Sequence, residues 1–128
     1  MEAAPASGAA ETDQPTRVTA LPLSWISPRL VAGTGPGHAP DDPAVRRFWT
    51  ALIGPGAVAD LLRLTAAART GRSLRRPVHL SLLLHEGLVR RDGEQVLVFR
   101  DVPMMAPHHL RRLRPALRAE YRRVVGHR

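Results

Sequence analysis

The side chains best suited to chemistry are four histidines, His79, His85, His108 and His109, a lone carboxylate at Asp60, and a glycine-rich run "GTGPG" from Gly33 to Gly37. No histidine pair has the i, i+4 spacing that sets two imidazoles on one helical face, and no cysteine or acidic cluster accompanies them. A metal site is therefore not expected. His79 and His85 read as surface or half-buried residues, and His108 and His109 as the start of a helix. The glycine-rich run has no clear strand before it and no helix directly after it, so it reads as a linker and not as a phosphate loop. Asp60 stands alone on an apolar helix and is expected to be exposed. With no nucleophile elbow and no carboxylate pair, the chain is not expected to be an enzyme, and no cofactor is implied.

The remaining chemical capacity lies in arginine. All 19 basic residues are arginine, against 11 acids. A GC-rich genome would favour arginine codons, yet the physical result is the same: guanidinium groups stay ionised and grip phosphate or carboxylate in two-pronged geometry. The charge is unevenly placed. Residues 1–40 carry Glu2, Glu11 and Asp13 against Arg17 and Arg29, whereas residues 41–128 carry 17 arginines against eight acids. The basic part is the part with folding signals, and polyanions are its natural partners. A merely solvated, codon-biased surface is the competing account.

These groups must be positioned by one domain, the most that 128 residues suggest. The opening "MEAAPASGAAETDQPTR" has no periodicity that could bury a face, so residues 1–40 read as a disordered tail with an apolar extended segment near 18–33. In that segment Pro22 and Pro28 oppose a helix around Trp25. A buried Trp25 would make it an arm strapped across the core, and an exposed one would make it a docking peptide. Neither a signal peptide nor an apolar run of about 20 residues is seen, so a soluble, cytoplasmic protein without membrane contact is expected.

A first helix is signalled by Asp41 or Asp42 as cap, Pro43 in the first turn and Gly54 as stop. Val45, Phe48, Trp49 and Leu52 share its apolar face, with Arg46 and Arg47 opposite. A second runs from Pro55 to about Thr70, with Val58, Leu61, Leu62 and Thr65 inward and Gly71 as a left-handed terminator. "PVHLSLLLHE" forms a third, ended by Gly87. The period then becomes two, and Asp92-Gly93 is a strong hairpin turn between two alternating strands. Past Pro103 the chain is helical and basic, with Pro115 dividing it into two helices. There Leu110, Leu113, Leu117, Tyr121 and Val124 form a stripe that packs on the core or on a second copy.

Three helices, a hairpin and a further helix resemble a winged helix-turn-helix domain with a C-terminal amphipathic helical extension, mostly α with a β-hairpin. "LLLHEGLVRR" is similar to the end of a recognition helix and the first wing strand of MarR-, PadR- or ArsR-like regulators. "DGEQVLVF" is similar to the wing and its return, and "LTAAARTGRS" to the turn before a recognition helix. The likeness, between Ser73 and Phe99, implies a winged-helix domain at 41–103 and a basic helical segment at 104–128. It also implies DNA contact by Arg72, Ser73, Arg75, Arg76 and His79 at the helix N-terminus, and by Arg90 and Arg91 on the wing. A dimeric transcriptional regulator that binds duplex DNA through phosphates follows, with RNA as another polyanion. The third helix is unusually apolar for a groove-reading element. The alternative is accordingly a non-enzymatic adaptor that holds a protein partner through Trp25 or the C-terminal helix.

Overall fold

A computed structural model describes residues 24–126, and residues 1–23 of the tail expected at 1–40 lie outside the described residues. Backbone groups that leave water must find partners, and extended segments can find them only on other strands. The proline-rich arm does this three times. β1 (Trp25–Ile26), β2 (Arg29–Val31) and β3 (Gly37–His38) each pair with a strand distant in sequence.

The first helical segment begins as expected, with the Asp42 carboxylate accepting the Ala44 N–H at 2.9 Å. It opens as a π-helical stretch, Val45–Trp49, before tightening into α1 (Thr50–Ile53). Val45, Phe48 and Trp49 are all buried. Gly54, at φ 90°, breaks the chain, and α2 (Pro55–Thr70) starts on its proline. Gly71 closes α2 in the left-handed conformation, with the Arg72 N–H reaching back to the Ala67 carbonyl at 2.9 Å. Within α2, Val58, Leu61, Leu64 and Thr65 are buried and Leu62 is half-buried.

Beyond Gly71 the chain forms β4 (Leu74–Arg75), and α3 (Leu80–His85) is only six residues long. The hairpin is β5 (Val89–Asp92) and β6 (Gln95–Phe99). Asp92 pairs with Gln95, so the two turn residues are Gly93 and Glu94, one position later than Asp92-Gly93, with Gly93 at φ 61°. β7 (Val102–Pro103), α4 (Pro107–Leu110) and α5 (Pro115–Gly126) complete the chain, with the break at Pro115 where it is expected.

The expectation of a mostly α winged helix-turn-helix is overturned by the strands. Three small sheets lie among the helices of the described residues, making the architecture mixed α and β: β1 with β4, β2 with β6 and β5, and β3 with β7. The hairpin is no free wing. β2 of the N-terminal arm runs parallel to β6, with Leu30 opposite Val98, and completes a three-stranded sheet in the order β2-β6-β5. The apolar content of β6 explains the addition. Val96, Leu97 and Val98 are consecutive and all buried, the mark of a central strand covered on both faces.

The C-terminal stripe faces the core. Leu113 and Tyr121 are 4% and 3% exposed, and Leu110, Leu117 and Val124 are partly buried against the same cluster. Leu113 and Tyr121 of that stripe thus pack on the core of their own chain, and Leu110, Leu117 and Val124 keep part of their surface exposed.

Candidate nucleic-acid interface

The residues expected at a nucleic-acid surface fall on two separate elements. Arg72, Ser73, Arg75 and Arg76 lie on β4 and its flanks, all exposed. Arg90 and Arg91 lie on β5, the edge strand of the larger sheet, and are exposed too. Consecutive strand residues point to opposite faces. Arg90 is opposite Leu97, which is itself opposite Arg29, whereas Arg91 is opposite Val96 on the other face. Arg90 and Arg91 therefore do not act together. Arg90 lies over the Phe99 ring, 5.7 Å from its centroid, and Arg29 donates to Gln95 Oε1 at 3.3 Å. The stems of these two arginines help to explain why Leu97 is buried on the outer side of the sheet.

The ribbon of β1 and β4 is more coherent. Trp25 is the register partner of Arg75, and Ile26 that of Leu74. Ile26 and Leu74 pack on the core, which leaves Trp25 and Arg75 together on the outer side. Trp25 is 39% exposed. The arm is thus strapped to the domain through its backbone while its tryptophan stays accessible, combining the two outcomes set as alternatives. Beside it the Ser27 and Ser73 hydroxyls bond at 2.6 Å. Val78, at the turn into α3, is 91% exposed.

His79 is not a free contact group. Its backbone N–H and its Nδ1 both meet Asp60 Oδ2, at 3.1 and 2.8 Å. Its ring also packs against Gly56, where an added Cβ would come within 2.8 Å of the imidazole. Asp60, expected to be exposed, is 3% exposed and also holds Arg63. A buried carboxylate needs such donors, so Asp60 joins the first turns of α2 to the start of α3. Its setting was invisible in sequence because its main partner lies 19 residues away.

The burial of His38, Glu86 and His109 was also missed. Tyr121 Oη accepts the Met105 N–H at 2.9 Å and bonds His38 Nε2 at 3.0 Å, tying α5 to β3 and to the segment after β7. Glu86, after α3, holds Arg112 at 2.9 Å. His109 Nδ1 accepts the Ala106 N–H at 3.0 Å, so the ring proton sits on Nε2, which lies 3.2 Å from Glu86 Oε1 but off the line of a good hydrogen bond. Burial, and then the neighbouring His108, push the His109 pKa below its ordinary value. The hydrogen bond from Arg112 holds the Glu86 carboxyl below its own.

These shifts give the fold an acid-sensitive limb. Below about pH 6.5 an unfolded histidine takes a proton that native His109 refuses, so stability is present above that pH and declines as pH falls. Glu86 adds stability above the unfolded carboxylate pKa of about 4.3, lost as pH falls through its lower native value. In urea melts between about pH 7.5 and 5.5, His109→Gln should make the decline shallower. An unchanged slope would remove His109 from its origin.

A cleft of about 480 Å³ is lined by the glycine-rich run together with Gly87, Phe99, Arg100, Asp101 and Met104, among others. β2 does precede this run, contrary to expectation, but the run passes into β3 and not into a helix. The glycine-rich run therefore lacks the helix that completes a phosphate loop. Among the described residues no group of three or more histidine or acidic side chains could hold a metal ion, and no helix is long and apolar enough to cross a membrane.

No family model, curated protein or solved structure matches this chain.

Proposed function

We propose that this protein binds nucleic acid through exposed arginines that contact backbone phosphates. One observation carries the reading. Arg72, Arg75, Arg76 and Arg91 are exposed, and among the described residues their side chains have no hydrogen bond or ion pair, while Asp60, Glu86 and Glu120 are engaged by Arg63, Arg112 and Arg47. These three acids are thus engaged by other arginines, which leaves the outward guanidinium groups to an external anion. Phosphate contacts give affinity without sequence readout. Dimeric regulation rested on a winged-helix likeness that the strand order removes, so the proposal is confined to binding, with DNA as the reference ligand and RNA as the other polyanion.

The test is a fluorescence anisotropy titration with random duplex DNA at several salt concentrations. About four phosphate contacts should give a log–log salt slope of roughly −3 to −4. Absence of binding at about 20 mM salt, where phosphate contacts are strongest, would refute the proposal.

A further inference from the structure

We propose that the outer face of the ribbon of β1 and β4 is a stacking platform for single-stranded nucleic acid, with an unpaired base on the Trp25 indole and Arg75 on the adjacent phosphate. The inference rests on the nucleic-acid reading above and narrows it to one ligand class. The register sorts the ribbon into two faces: Ile26 and Leu74 turn inward, Trp25 and Arg75 outward. Two residues along each strand on that outer face are Ser27 and Ser73, whose hydroxyl pair can donate to a phosphate or a base edge. The Arg76 N–H bonds the Ser24 carbonyl, which anchors the end of the ribbon beside Trp25.

Charge selects the occupant. No aspartate or glutamate occurs from Ser24 to Pro40 or from Leu61 to His85, while Arg72, Arg75 and Arg76 all fall in the second stretch. An apolar protein partner would have to bury these guanidinium groups around Trp25, at a cost that an anionic strand does not incur. Duplex DNA satisfies the arginines but leaves the indole without a role, because its base faces are covered by their neighbours. An unpaired strand satisfies both, since every base offers a π-face for stacking beside a phosphate. The second tryptophan, Trp49, is fully buried, so a fluorescence change on binding reports Trp25.

The experiment uses the full chain with labelled oligo(dT) and oligo(U) of about 12 nucleotides and a random duplex of equal length. Tighter binding of the single strands, with quenching of tryptophan fluorescence, is expected. Trp25→Ala should weaken oligo(dT) binding about tenfold or more and duplex binding less than about twofold, while Trp25→Phe keeps most of the single-strand affinity. Equal oligo(dT) affinity of wild type and Trp25→Ala, or binding without quenching, overturns the platform. Loss of duplex and single-strand binding together in wild type overturns the broader reading instead. Should Trp25→Ala lower the melting temperature, quenching in the wild-type protein still decides.

Discussion

Replacing Arg72, Arg75 and Arg76 together by alanine should lower duplex affinity by about two to three orders of magnitude at roughly 0.1 M salt and make the salt slope shallower by about three. Each lost phosphate contact removes close to one released counterion, and the effect multiplies across the three positions. The same substitutions should leave the melting temperature nearly unchanged, because these side chains are exposed and hold no partner among the described residues. Replacing all three by lysine should retain the slope while weakening any two-pronged contact. A matched control is alanine at Arg111, Arg114 and Arg122, which are exposed on the C-terminal segment. It removes equal charge elsewhere and should cost much less affinity. If both triple variants lose the same amount, binding reflects net charge alone and the β4 region has no special part in it.

Trp49→Ala should destabilise the fold by about 3–5 kcal/mol. Trp49 is completely buried, donates its indole N–H to the Pro103 carbonyl at 3.3 Å, and meets the His109 ring edge-on with centroids 4.8 Å apart. One side chain thus joins the first helical segment to β7 and α4. The whole stability of a domain this size is on the order of 5–15 kcal/mol, so the variant should be close to unfolding at room temperature. Trp49→Phe should cost less, because most of the apolar volume remains and the chief loss is the hydrogen bond to Pro103. Urea denaturation followed by circular dichroism measures both, since dichroism does not depend on the tryptophan being replaced. A midpoint unchanged in Trp49→Ala would mean that the site collapses around the missing ring.

Local punctuation was legible in the sequence. Pro55 and Gly71 bound α2, Gly54 and Gly87 adopt positive φ, Gly93 sits in the hairpin turn, and Pro115 opens the last helix. Such signals depend on what one or two residues can do with their own backbone, and that is encoded where it acts. The apolar stripe was equally legible, although its direction was not. Leu113 and Tyr121 look the same in sequence whether they meet a second copy or their own core. The one-residue error at the hairpin turn has a similar origin, because Asp92 tolerates the turn but the register with Gln95 decides whether it enters the strand.

The candidate site divides along the same line. Sequence alone determined that the chain would be strongly basic, that its arginines would crowd the part after residue 40, and that Trp25 would lie on an extended segment. Only the tertiary structure decided that β1 would pair with β4 and bring Trp25 beside Arg75, that Asp60 would be buried under His79, and that β2 would join the hairpin in a three-stranded sheet. Arm and hairpin each left an edge of backbone donors and acceptors unpaired, and many pairings could have satisfied them. The choice came from which apolar faces could be covered at once, a condition set by contacts far apart along the chain.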